Sequence, residues 1–334
     1  MNSSLIALLA GALTGCAVVP DGMLSYREPT AATFGEPVSL SAVPPNSTLT
    51  PARELYPYAA LSVNVYNPAT SGNASIERSP QRLELACSKG SAEPLPIGPR
   101  WLLQDFPPDA NELDDTYNLR LQLWGRLGAN GDKISELVLA FRGTEARHGE
   151  DWWANLRWFL GPRVDHYTLT SDTVAPALQT WIEAKITAGV VAPDVKLVTT
   201  GHSLGGGLAQ RMAYAFLTPN GRALRVHHVY AFDPSPVTGW FSVEKDLRER
   251  NVDGMQIDRI LEDGEALSYV RTLLGIVVRP TEKNPAIRGV KFNFKHSYNP
   301  LSNHSMRLIG CSLAKYAFPS SNALDTQPLE QEQD

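Results

Sequence analysis

The spacing of apolar residues changes several times along the chain, and each change predicts an element. Residues 53–67 carry a helical pattern expected to begin at Pro57, while 68–118 are polar, proline-bearing and without an assignable period. Leu119-Arg-Leu-Gln-Leu-Trp124 alternates, which predicts a strand with one buried face. Gly128-Ala-Asn-Gly-Asp-Lys133 is a hairpin signal. Leu137-Val-Leu-Ala-Phe141 is continuously apolar, as a central strand covered on both faces must be. Residues 173–188 place Val174, Leu178, Trp181, Ile182 and Ile186 on one helical face, with Pro176 in the first turn.

The apolar run from Val195 then passes through Gly201-His-Ser-Leu-Gly205 into a second helical pattern. Leu208, Ala209, Met212, Ala213 and Phe216 fall at spacings of three and four, and Thr218-Pro-Asn-Gly221 stops it. Arg225–Phe232 and Gln256–Leu261 read as strands, and Ala266–Arg271 as helical. Asn303-His-Ser305 opens a last helix bearing Met306, Leu308, Ile309, Leu313 and Ala317. Strands alternating with helices predict an α/β fold with a mainly parallel central sheet and helices on both faces. No internal repeat is visible.

With 334 residues, 43% of them apolar, the chain can bury a sizeable core. The formal net charge of −5, without a dense basic block, argues against nucleic acid as a partner. Arg279, Lys283, Arg288, Lys291 and Lys295 form a mild basic run, expected to be a solvated face. Residues 17–50 are rich in Pro, Ser, Thr and Ala and are expected to be a tether. The tail 319–334 is polar, acidic and expected to be disordered. The folded domain is therefore expected over 51–318.

The chemistry concentrates at Ser203. Strand, sharp turn and helix around G-x-S-x-G is the context of a nucleophile elbow. Gly201 and Gly205 remove side chains that would crowd the serine, and the helix N-terminus with the Leu204 N–H faces a developing oxyanion. The base is expected after the serine in the chain. His304, between a loop and a helix, is favoured over His296, which lies in a segment alternating like a strand. His227 and His228 lie within a ladder and are expected to have no catalytic task. The acid belongs after a strand, where Glu265, Asp233 and Asp263 all qualify, ranked with Glu265 first and Asp233 second. Thr144, after Phe141-Arg-Gly143, suits a second oxyanion donor, and Arg142 suits a structural tie between loops. The histidines are scattered and the cysteines are not at ligand spacing, so no metal motif is read. Trp152, Trp153 and Trp158 are expected mainly as packing aromatics, with at least one a candidate for an acyl-binding groove or lid.

Leu139-Ala-Phe-Arg-Gly-Thr144, Asp151-Trp152, Gly201-His-Ser-Leu-Gly-Gly-Gly-Leu-Ala209 and Gly264-Glu-Ala-Leu267 resemble the class 3 (fungal-type) lipase family of α/β-hydrolases. Leu55-Tyr-Pro-Tyr-Ala-Ala-Leu-Ser62 is similar to that family's N-terminal helix. The resemblance covers roughly 55–315. It implies a triacylglycerol lipase, phospholipase A or related carboxylesterase without cofactor or metal. It implies Thr144 and Leu204 as oxyanion residues and a lid after the first of them. Where the family carries Asp as the acid this chain has Glu265, and where it carries Gly before Ser-Pro this chain has Asp233. Rival readings are a thioesterase or acyltransferase using the same triad, or a non-catalytic envelope lipoprotein on the same scaffold.

The first residues, Met1–Cys16, hold an apolar run too short to cross a bilayer, which takes about 20 residues. The run has the length of a signal-peptide core, and Leu13-Thr-Gly-Cys16 resembles the bacterial lipobox. That resemblance implies acylation of Cys16, export, and anchoring at a membrane, with the outer membrane favoured by Ala17. The lipid anchor would hold the protein beside a lipid ester substrate. Cys87 and Cys311 then remain and permit one disulfide.

Overall fold

The computed structural model describes residues 22–27, 41–42, 49–67, 78–107, 110–143, 164–216, 224–265, 267, 285–294 and 303–318. Its frame is a nine-stranded sheet. The elements, in chain order, are β1 (Gly22–Arg27), β2 (Ser41–Ala42), α1 (Leu49–Asn64), α2 (Pro80–Cys87), β3 (Trp101–Leu103), α3 (Ala110–Tyr117), β4 (Leu121–Leu127) and β5 (Ile134–Phe141). They continue with α4 (Val164–Leu169), a π turn at Thr170–Val174, α5 (Ala175–Thr187), β6 (Val191–His202), α6 (Leu204–Ala215) and β7 (Val226–Phe232). The last are α7 (Lys245–Val252), β8 (Gln256–Glu262), β9 (Ala286–Asn293) and α8 (Met306–Ala317).

The strand order is β2-β1-β9-β8-β7-β6-β5-β4-β3. Strands β5 to β9 run parallel, and the outer strands pair antiparallel at both edges. This is the mainly parallel α/β arrangement expected. Each parallel strand steps one place in the same direction, so crossovers of one hand set their helices on one face. Leu178 and Ile182 of α5, Met212 of α6 and Val252 of α7 accordingly share one core with Leu137, Leu139 and Phe141. Val138 and Ala140 turn the other way, into a second core with α1, α2 and α8. The period-2 geometry of a strand divides the unbroken apolar run of β5 between these two cores.

Four expectations need correction or completion. Helix α1 starts at Leu49, and Pro57 lies inside it rather than at its start. An interior proline costs a helix about 3 kcal/mol, but Leu55, Tyr56, Ala59 and Ala60 are all buried against the second core and offset that cost. The expected tether 17–50 contributes β1, which pairs with β9 through its main chain, a contact that needs no apolar periodicity. The unassigned stretch 68–118 contains α2, β3 and α3. Part of the basic run is β9, where Arg288 bonds the buried Asp258. Among the described residues no helix is long and apolar enough to cross a membrane.

The disulfide permitted by the sequence is present. Cys87 at the end of α2 is bonded to Cys311 in α8, 224 residues away, with 5.7 Å between their Cα atoms. It staples to the body of the domain the helix that follows His304.

Candidate active site

Ser203 joins β6 to α6 with φ 56° and ψ −122°, a positive φ that a side chain adopts only under strain. Four backbone hydrogen bonds hold it there. Its N–H donates to Phe232 O at 3.0 Å, and its carbonyl accepts from Gly206, Gly207 and Ser235 at 3.0, 3.3 and 2.8 Å. The neighbouring glycines have steric reasons. A Cβ on Gly205 would strike the Phe141 carbonyl, and one on Gly201 would strike the Gly205 backbone. The elbow can form because β5, β6 and α6 approach closely at these two positions. Leu204 is the first residue of α6, so its N–H belongs to the helix's first turn.

His304 lies just before α8, whose N-cap is Ser305, with Ser305 Oγ accepting from the Leu308 N–H at 3.4 Å. The His304 ring is almost buried, and its Nδ1 is 2.8 Å from Oε2 of the fully buried Glu265. The same carboxylate oxygen accepts from the Leu267 N–H at 2.7 Å. Glu265 follows the turn after β8, where Gly264 has φ 67°. The His304 ring centroid is 4.6 Å from that of His202, the residue before Ser203. The fold thus draws residues 203, 265 and 304 to one end of the parallel strands.

The three candidate acids have different surroundings. Asp263 forms an ion pair with Lys291 of β9 and is partly exposed. Asp233 is fully buried, has φ 37°, and accepts the Glu262 N–H on Oδ1 at 2.8 Å. Glu265 is the one bonded to His304 Nδ1. Asp233 nevertheless belongs to the same cluster: His202, Asp233 and His304 are all buried and each offers a ligand atom within 4.8 Å of the others. This grouping was not legible in the sequence, because its members sit at three different strand or loop ends, 31 and 71 residues apart in sequence order.

Tyr66 is a further residue that the sequence reading passed over. Its hydroxyl accepts the Gly143 N–H at 3.0 Å and lies 3.2 Å from His202 Nδ1. It links the end of α1 to the turns after β5 and β6; Tyr66 falls inside the stretch 53–67 that reads as helical, and nothing in that pattern singles it out. Arg142 ties loops as expected, donating to Asp114 Oδ1 at 3.0 Å and to Asn118 Oδ1 at 2.5 Å. His228 stays within the ladder, 3.1 Å from Asp258. Thr144, Trp152, Trp153, Trp158, the expected lid, His296 and Cys16 all lie outside the described residues.

No curated protein sequence matches the chain. Among solved structures, the Rhizomucor miehei lipase in its propeptide complex is 16% identical, with a TM-score of 0.38, over 66% of this chain and 63% of that one. The chain thus spans less than two thirds of that lipase's length. Lipase II from Rhizopus niveus is 14% identical, with a TM-score of 0.38, over 67% of this chain and 76% of that one. Residues 103–220, from β3 through the Ser203 elbow to the end of α6, match the family model of the Tle-like phospholipase domain, so the elbow lies in a phospholipase-like segment.

Proposed function

We propose that the protein is a serine carboxylic ester hydrolase acting on lipid esters, of the triacylglycerol lipase or phospholipase A type. The observation that carries this reading is the 2.8 Å contact of His304 Nδ1 with buried Glu265, at the strand end that also carries the strained Ser203. The phospholipase-like match over the elbow supports the lipid ester as substrate class.

In this mechanism Ser203 Oγ attacks the acyl carbonyl while His304 Nε2 takes its proton. Glu265 fixes the ring by accepting from Nδ1–H and stabilises the imidazolium that forms. The proton then passes to the departing alcohol, and an acyl–Ser203 ester remains. Water, deprotonated by His304, releases the fatty acid and restores the serine. The Leu204 and Thr144 backbone N–H groups are the proposed donors to the tetrahedral oxyanion. A lipid anchor at Cys16 would keep the domain at a membrane carrying its substrate.

The test is fluorophosphonate labelling of the purified protein, wild type against Ser203→Ala, with detergent and without. Labelling of wild type that disappears in the variant is the expected result. A folded wild type that takes no label under either condition overturns the reading. A panel of phospholipids, acylglycerols and acyl thioesters then sorts ester hydrolysis from the thioesterase alternative.

A further inference from the structure

We propose that His202, Asp233 and His304 form a zinc site that switches the serine hydrolase off. All three side chains are buried, and one ligand atom from each lies within 4.8 Å of the others. Two imidazoles and one carboxylate are a donor set that Zn²⁺ accepts, with a fourth position left for water. Small side-chain movements bring such a cluster to zinc's bond lengths of about 2.0–2.2 Å.

Each of the three ligands is already oriented from behind. Glu265 holds His304 through Nδ1, the Tyr66 hydroxyl lies against His202 Nδ1, and the Glu262 N–H holds Asp233 Oδ1. Carboxylate, hydroxyl and backbone partners on the far side of metal ligands fix ring orientation and tautomer in metal sites. With Nδ1 of both rings so engaged, Nε2 is the coordinating nitrogen on each. Asp233 adds a separate argument. A non-glycine residue at φ 37° carries a conformational cost, and its buried carboxylate carries a desolvation cost. A divalent cation between that carboxylate and two imidazoles offsets the second cost.

Coordination through His304 Nε2 occupies the lone pair that would take the Ser203 proton. Zinc and catalysis therefore compete for one atom, and zinc is a reversible inhibitor. This inhibitory consequence rests on the proposed role of His304; the metal site itself rests only on the three ligands.

The experiment titrates the full chain, stripped with a chelator, with Zn²⁺ in competition with a chromophoric chelator. Fluorophosphonate labelling is followed in parallel. One zinc per chain is expected in wild type and in Ser203→Ala, with labelling of wild type blocked by zinc and restored by EDTA. His202→Gln and Asp233→Asn, checked for folding by circular dichroism, are each expected to weaken zinc binding by at least about 100-fold, and Tyr66→Phe by about 10-fold. Zinc binding that is absent from stripped, folded wild type, or unchanged in His202→Gln and Asp233→Asn, overturns the site. Stoichiometric, variant-sensitive zinc binding in a protein that never labels would sustain the site and sink the hydrolase reading instead. Labelling that persists with the site fully loaded would overturn the inhibitory switch.

Discussion

Two histidine–carboxylate pairs are positioned by the same sheet, and they differ in what surrounds them. His304 and Glu265 meet beyond the C-terminal ends of the parallel strands, beside the elbow. His228 and Asp258 face each other from neighbouring strands inside the ladder. The inner pair is tied into the ladder on several sides, though His228 keeps part of its ring exposed. Arg288 bonds Asp258 and reaches Glu54 of α1, and His228 stacks on Tyr230, which stacks in turn on Tyr58. Its charges are matched and its ring is held between aromatic and ionic partners. The outer pair instead sits where α6 begins and the strands end. The same two residue types are thus tied into a ladder in one place and set beside the elbow at the strand ends in the other, where the proposed chemistry would take place.

The most severe test removes the proposed nucleophile. Ser203→Ala should abolish fluorophosphonate labelling and lower ester hydrolysis by about 10⁴–10⁶-fold, with the melting transition retained. Next comes the proposed acid: Glu265→Gln should lower turnover by about 10³–10⁴-fold, because the ring loses its tautomer and its counter-charge. A larger loss from Asp233→Asn than from Glu265→Gln would reverse the assignment of the acid.

The inner pair should respond in stability and not in labelling. Asp258→Asn leaves the Arg288 cation without its buried partner and should cost about 3–5 kcal/mol in urea unfolding, while Ser203 still takes the probe. Loss of labelling in the folded variant would break the contrast. Replacing Cys87 and Cys311 together by Ser should cost about 2–5 kcal/mol. Because the staple holds the helix behind His304, the same variant should lose activity at temperatures below its unfolding midpoint.

The smallest effect is on pH dependence. Burial raises the Asp258 pKa, but hydrogen bonds from His228 and Arg288 and their charges outweigh it, so the carboxyl stays below its usual range. A carboxyl depressed in the folded state binds its proton more readily when unfolded. Its contribution is therefore complete above the unfolded value of about 3.9 and fades as pH falls through the lower folded value. Unfolding followed from pH 5 downward should show that loss in wild type and a flatter curve in Asp258→Asn.

Short-range patterns were legible where one local rule sufficed. The elbow could be read because strand, glycine-flanked turn and helix are contiguous in sequence. Residues 137–141 could be read as a two-faced strand because only a central strand is apolar at every position. The helix from Met306 was announced by its N-cap serine and apolar spacing. Strand β1 escaped because its pairing with β2 and β9 uses main-chain groups that any sequence carries. The start of α1 escaped because Pro57 signals a helix start locally, and only burial against α8 and the sheet overrides it.

By itself, then, the sequence determined the parallel α/β alternation, the strained elbow at Ser203, and a short list of candidate bases and acids, all of them consequences of local period, turn chemistry and chain order. The tertiary structure decided which acid meets His304, since Asp233, Asp263 and Glu265 all follow strands and only packing aims their side chains. It also decided that His202, Asp233 and His304 share one buried cluster and that Cys87 meets Cys311. Such contacts between distant segments depend on strand order and twist, which no local pattern encodes.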